Sequence, residues 1–420
     1  MKGFLYFLII VFLSSCNNLS IEQSNKYSEI ELTELTELKQ SMQTNLGTKK
    51  INSEFGFTIN KTNEWKQVGD KLITNFQNMY NLHINYEPED SDYPYKGWFF
   101  GWVKDQCNPG YEGCDAIYAA KSKSLTGPWL IYSGDKNDGS PKWTTHESIE
   151  KWVPVIAGGP TNYDNWHNGD PSVVKYKDIY YMAYSATGFN KDGIPYGQPN
   201  DNDSDISVVM GAISNDGLNW TKSDKPILIY KPQWGQPPMK KDGYMHEFGS
   251  YHRPSLMVED NKFKLWIDAY EKNSFNMLYA ENNSNFMASD NWKILRGMGN
   301  SALINFPNPD IIKVEDLYLA FGDPVHAEAP EEGWGKRKIT WAVSLNGLDW
   351  KSVGYMDTDA GWQGIFVPEA LVAKDGDKYV INLTYGTMIK DHFHQDSIRM
   401  KRWILGQDEL EELKKYAYIK

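Results

Sequence analysis

One short phrase recurs along this chain and sets its architecture. It joins a polar or charged residue to a proline and a brief apolar strand, and an aromatic-rich strand follows after a turn. Trp166-His167-Asn168-Gly169-Asp170-Pro171-Ser172-Val173-Val174 passes through a turn at Lys177-Asp178 into Ile179 to Ser185. Arg253-Pro254-Ser255-Leu256-Met257 is followed by Phe263 to Tyr270, and Asn308-Pro309-Asp310-Ile311-Ile312 by Leu317 to Phe321. Val367-Pro368-Glu369-Ala370-Leu371 leads to Lys378 to Tyr385. Asn85-Tyr86-Glu87-Pro88 reads as a degenerate first copy, which sets Trp98 and Phe99 opposite Tyr181 and Met182. A repeated unit that contains only strands indicates a propeller or a similar array.

A second theme completes the unit. Ala212-Ile213-Ser214-Asn215-Asp216-Gly217-Leu218-Asn219-Trp220 closely matches Ala342-Val343-Ser344-Leu345-Asn346-Gly347-Leu348-Asp349-Trp350. Weaker versions span Ala119 to Trp129 and Ala280 to Trp292. Asp-Gly and Asn-Gly supply the positive φ that tight hairpins demand. Each unit is therefore an inner strand, an aromatic strand, a third strand, a hairpin and a Trp-led outer strand. Four strands make one blade, and five units fit the length. The fold class expected is all-β, a five-bladed β-propeller over residues 61–420. Two stacked β-sandwiches would explain the internal similarity less simply. Trp98 to Val103, Ala116 to Lys121 and Trp129 to Tyr132 read as strands of the first blade, and Gln407 to Lys415 as a closing helix. With 16 Trp and 26 Tyr the chain is rich in aromatics, which fill gaps between packed sheets or stack on sugar rings.

The start of the chain reads as a targeting segment. Lys2 and the apolar run Phe4 to Leu13 form a short signal over residues 1–15, and Leu13-Ser14-Ser15-Cys16 resembles a bacterial lipobox. Cys16 is then expected to be the lipidated first residue of the mature protein; an ordinary secretory signal with a chance cysteine is the plainer alternative. Residues 16–60 form a lipid-anchored linker with a short amphipathic helix, Glu29 to Thr44, built on Ile30, Leu32, Leu35 and Leu38. This places the protein in a bacterial cell envelope, membrane-attached through the anchor only. Export permits a disulfide between Cys107 and Cys114, and two thiols are too few for a zinc site. A formal net charge of −12 argues against a nucleic-acid partner.

Chemistry is expected where the inner strands converge. Glu87, Asp170, Arg253, Asn308 and Val367 precede the prolines; Glu89, Ser172, Ser255, Asp310 and Glu369 follow them. Carboxylates distant in sequence thus meet at one end of a funnel, as glycoside hydrolysis needs for proton donation and water activation. A structural reading stands beside this, because Asp before Pro also caps turns. Asp170 is the leading catalytic candidate, crowded by Trp166, His167 and Asn168. His252-Arg253 comes next, with His246 and Glu247 upstream. His326 with Asp323, and His392 with His394, lie in loops. Long Gly/Pro-rich insertions at 144–165, 190–205, 231–250 and 325–336 suit binding or catalysis.

The Asp-Pro opening, the repeated inner-strand starts and the aromatic second strands resemble the five-bladed propeller glycoside hydrolases of family 43 and its relatives, over roughly residues 81–404. That resemblance implies an inverting reaction on xylosides or arabinosides, with an Asp base, an orienting Asp and a Glu acid from different blades. Asp170-Pro171 matches the motif, whereas the third unit carries His252-Arg253-Pro254 where a Glu is expected two before the proline. The roles expected are Asp170 as base, Asp310 as orienting carboxylate and Glu369 as proton donor. Trp166, His167, His252, Arg253 and Asn308 are expected to bind an oligosaccharide or polysaccharide. An acidic substrate would follow if Arg253 met its anion. No cofactor is required and no metal site is read, although relatives hold Ca2+ in the central channel. A non-catalytic glycan-binding propeller is the alternative, and a phosphorylase a third reading.

Overall fold

A computed structural model describes residues 65–74, 77–102, 116–145, 152–159, 161, 163–165, 167–188, 207–230, 241–242, 245–246, 248–271, 274–324, 337–356, 365–388 and 395–418. The signal segment, Cys16, the linker helix, Cys107, Cys114, Trp166, Glu247, His326, His392 and His394 lie outside the described residues, as do most of the predicted insertions.

Five antiparallel sheets surround a common axis, as the repeat predicts. Blade 1 runs outward through Gln77–Tyr86, Tyr95–Trp102, Ala116–Ser122 and Trp129–Asp135, with Pro141–Thr145 as a fifth strand. Blade 2 comprises His167–Tyr176, Ile179–Thr187, Ser207–Ser214 and Thr221–Lys222. Blade 3 comprises Phe248–Glu259, Lys262–Glu271, Ser274–Asn282 and Lys293–Arg296. Blade 4 comprises Asp310–Val314, Leu317–Gly322, Thr340–Ser344 and Lys351–Tyr355. Blade 5 comprises Ile365–Asp375, Lys378–Met388 and Gln395–Leu405; its outer edge is supplied by Lys66–Gln67 and Ile73–Thr74 from the beginning of the domain. Each inner strand touches the next around the ring, and the fifth touches the first.

The sequence patterns have physical causes in this arrangement. A propeller stacks its blades face to face, so second strands such as Leu317–Gly322 are buried on both sides. They therefore read as continuous apolar runs rather than as alternation. The Gly217 and Gly347 hairpins adopt φ of +74° and +72°, which only glycine takes without strain. Their carbonyls accept hydrogen bonds from Trp220 and Trp350 of the same blade, at 3.0 Å each. Each also accepts one from a Trp of the preceding blade, Trp98 at 2.9 Å and Trp266 at 2.8 Å. These tryptophans, like the buried Trp129, Trp341 and Trp403, hold blades together. The closing helix spans Gln407–Tyr418 and buries Leu410 and Leu413 against blades 4 and 5.

The first blade departs from the expected register. In the other four blades the residue before the proline is left-handed: Asp170 (φ 51°), Arg253 (43°), Asn308 (53°) and Val367 (49°). Its counterpart in blade 1 is Asn81 (φ 57°), followed by Leu82, not Glu87 followed by Pro88. Glu87 instead lies in the hairpin beyond the inner strand, where it accepts hydrogen bonds from Tyr180 Oη and Lys175 Nζ. Glu89 is exposed and pairs with the same lysine. Neither belongs to the hub.

Candidate active site

Left-handed residues break the ladder where the inner strands begin. Pairing with the second strand skips between Gly169 and Ser172, His252 and Ser255, Phe366 and Glu369, and Tyr80 and His83. Such bulges bend a strand and re-aim one side chain. Two stacked rings result. The upper ring holds Asn81, Asp170, Arg253, Asn308 and Val367. The lower ring, two residues on, holds His83, Ser172, Ser255, Asp310 and Glu369.

The lower ring laces each blade to the next. Ser172 Oγ accepts the Leu256 N–H at 2.9 Å, and Ser255 Oγ accepts that of Ile311 at 2.9 Å. Asp310 Oδ2 accepts the Ala370 N–H at 2.7 Å, and its Oδ1 accepts from Ser255 Oγ at 3.0 Å. Glu369 Oε1 accepts from Asn81 Nδ2, which closes the circle from blade 5 to blade 1. His83 Nε2 lies 2.6 Å from the Val173 carbonyl, and its Nδ1 lies 2.9 Å from Glu369 Oε2. A carbonyl only accepts, so Nε2 carries a proton. Burial pulls the His83 pKa down, toward the neutral ring. Nδ1 is then an acceptor, and Glu369 Oε2 bears the shared proton. Burial pushes Glu369 far above the usual carboxylic range, and the Asp170 charge adds to this. Burial, then the nearness of the Glu369 carboxyl group, does the same to Asp310.

Second-strand side chains hold the upper ring in turn. Ser185 Oγ accepts the Arg253 N–H at 2.7 Å, Asp268 Oδ2 that of Asn308 at 2.9 Å, and Asp323 Oδ2 that of Val367 at 3.0 Å. Arg337 Nη1 reaches both Asp323 oxygens at 3.2 Å. Burial raises the Asp323 pKa despite the opposing charges of Arg337 and Arg253. Asp268 moves the other way: burial raises it, but His252 and Arg253 outweigh that and hold it low. Arg253 Nε lies 3.5 Å from Asp170 Oδ1, and its Nη1 lies 3.9 Å from Asp268 Oδ2. Desolvation works against this buried guanidinium, but the charges around it, Asp170 first, keep it firmly protonated.

One feature of the upper ring has no counterpart below. Asn81 Oδ1, Asp170 Oδ1, Asn308 Oδ1 and Arg253 Nε are buried without a hydrogen bond among the described residues, as is Asn168 Oδ1 on the same strand as Asp170. Buried polar groups are normally paired, at a cost of about 1–3 kcal/mol when they are not. Orphaned acceptors of this kind are satisfied by hydroxyl donors.

The structure thus gathers Asp170, Arg253, Asn308, Asp310, Glu369 and His252 at the hub. His167 is half-buried at the start of its strand, edge-on to Phe100 at 5.2 Å. Sequence reading did not single out Asn81, His83 and Asp268. The two blade 1 residues were hidden by the Pro88 alignment. A lone carboxylate within Lys-Leu-Trp-Ile-Asp-Ala-Tyr marks Asp268.

Calcium takes six to eight oxygen ligands, and the described channel does not fit it. Both Asp310 oxygens and both Glu369 oxygens are already engaged. The Arg253 cation faces Asp170, and no cluster of three or more His, Cys, Asp or Glu suited to a metal occurs among the described residues.

No protein-family model matches the chain, and no curated protein matches it in sequence. Solved structures do match in shape. A glycoside hydrolase aligns with a TM-score of 0.51 at 14% identity, covering 81% of this chain and 91% of its own. Sucrose-6-phosphate hydrolase from Lactobacillus gasseri aligns with a TM-score of 0.50 at 12% identity, covering 82% of this chain and 61% of its own. The chain has the five-bladed β-propeller fold found among glycoside hydrolases.

Proposed function

We propose that the protein is a glycoside hydrolase acting on oligosaccharides released from complex polysaccharides, of the xyloside or arabinoside type. The observation that carries this reading is the set of buried hub acceptors, Asp170 Oδ1, Asn81 Oδ1 and Asn308 Oδ1, that take no hydrogen bond from the described residues, Asp170 being met only by the Arg253 ion pair. Sugar hydroxyls are the donors that such a ring requires. Asp170, held beside Arg253, accepts a proton from the water that attacks the anomeric carbon. Asn81, Asn168 and Asn308 accept hydroxyl hydrogen bonds and orient the ring. Arg253 is compensated by Asp170, Asp268 and Asp323, so it orients Asp170 rather than receiving an anionic sugar. Asp310 and Glu369, committed to neighbouring blades, shape the hub in this proposal instead of transferring protons.

The cellular setting belongs to the same proposal. Lipid attachment at Cys16 would hold the propeller on the bacterial cell envelope. Loss of radiolabelled palmitate incorporation in Cys16→Ser is the expected outcome of that arrangement.

The activity test is reducing-sugar release from a panel of xylo- and arabino-oligosaccharides. Asp170→Asn is expected to lower kcat by at least about 1,000-fold while leaving the fold intact, as loss of an essential base does. Unchanged turnover in that variant removes Asp170 from the chemistry. Binding without release by the wild type selects the non-catalytic glycan-binding alternative, which the same ring of acceptors would serve.

A further inference from the structure

We propose that His252, held by Asp268, is the proton donor to the departing sugar oxygen. This rests on the glycosidase reading above and names a residue that neither the expected carboxylate set nor the lower ring supplies. His252 and Asp268 are direct partners across the first two strands of blade 3. Nδ1 lies 3.1 Å from Asp268 Oδ1. An ionised carboxylate only accepts, so this contact fixes the proton on Nδ1 and leaves Nε2 as the exchanging nitrogen. Asp268 is itself immobilised: its other oxygen takes the Asn308 N–H and faces Arg253. Phe275 stands edge-on to the imidazole at 5.4 Å and limits its rotation.

Position completes the argument. The Asp268 side chain is wholly buried, whereas that of His252 keeps 11% of its surface open. The imidazole is thus the member of this pair that a substrate can reach. Arg253, the next residue, bridges from Asp268 to Asp170, so base and donor flank one guanidinium. Glu369 is a poorer donor, because its Oε2 is taken up by His83 in the lower ring.

Imidazolium His252 gives its Nε2 proton to the glycosidic oxygen as the bond from the anomeric carbon to that oxygen breaks. A water oxygen bonds to the anomeric carbon and passes one proton to Asp170. Solvent then takes the proton from Asp170 and returns one to His252.

Leaving-group dependence tests this. Methyl and 4-nitrophenyl glycosides of β-D-xylose and α-L-arabinofuranose are hydrolysed by the full chain and by His252→Gln. A methoxide leaving group needs protonation; 4-nitrophenolate does not. His252→Gln is expected to lose at least about 100-fold in kcat/KM on the methyl glycoside but less than about 5-fold on the 4-nitrophenyl one, the range of general-acid assistance. Asp268→Asn, acting as a positioning change, is expected to show the same asymmetry at smaller size. A folding defect would lower both substrates equally, so equal losses, or none, overturn the assignment while leaving the glycosidase reading in place. Absence of hydrolysis by the wild type on all four glycosides and on the oligosaccharide panel overturns both.

Discussion

Replacing Glu369 by glutamine separates two roles for a buried carboxyl group of the hub. In the structure Glu369 Oε1 accepts from Asn81, and Oε2 faces the acceptor nitrogen of His83. A glutamine reproduces this pattern, its oxygen facing Asn81 and its amide donating to His83. The pH dependence has a definite sign. A carboxyl whose folded pKa is raised binds its proton more tightly in the native state. Its stabilisation is complete below the unfolded value of about 4.3 and is lost as pH rises toward the folded value, by about 1.4 kcal/mol per unit. Glutamine does not titrate. The variant should therefore gain on the wild type as pH rises from 5 to 8, by no more than that slope. Glu369→Ala behaves differently, because it strands Asn81 Nδ2 and His83 Nδ1 at a cost of about 1–3 kcal/mol each. Thermal and urea melts at both pH values, paired with turnover, read out all three proteins. The reasoning is refuted if the difference between Glu369→Gln and wild type does not change with pH. It is equally refuted if the glutamine variant is as unstable as the alanine one. Stable folding with turnover abolished would return proton donation to Glu369.

Further outcomes follow from other parts of the ring. Gly217→Ala places a Cβ 2.8 Å from Trp98 Cζ2 at a φ of +74°; left-handed strain alone is about 1–2 kcal/mol, so a fall in Tm of a few degrees is expected by differential scanning fluorimetry. Gly139→Ala, also at positive φ but with nothing near its Cβ, should cost only the strain. Asp268 has the opposite sign to Glu369: burial raises its pKa, but His252 and Arg253 outweigh burial and hold it down. Its stabilisation is present above about pH 3.9 and is lost as pH falls toward the depressed folded value, so acid titration followed by tryptophan fluorescence should show Asp268→Asn to be less acid-sensitive than wild type.

Much of this architecture can be read from the chain because each blade repeats the same local solution. Proline marks the left-handed residue in four blades, and the hairpin glycines with their tryptophans mark the outer strands. Where a marker is missing, reading fails for a physical reason. Asn81 adopts the same bulge without a proline, since asparagine tolerates that conformation unaided, and Pro88 offered a false register. Asp310 and Glu369 are visible as carboxylates, but one-dimensional spacing does not tell a blade-to-blade acceptor from a reacting group. Asp268 escaped notice because its importance lies in three partners, His252, Arg253 and Asn308, whose nearness depends on two neighbouring blades being assembled.

The circle of blades is fastened by the two shortest strands of its last sheet. Lys66–Gln67 and Ile73–Thr74 cover the edge of Gln395–Leu405. A polypeptide emerging from the ribosome therefore cannot seal its final sheet until residues near position 400 have been made, although the covering segment was synthesised first. Trimming the chain to begin at residue 77 would expose a long row of unpaired backbone groups. Molecules so shortened should associate edge to edge.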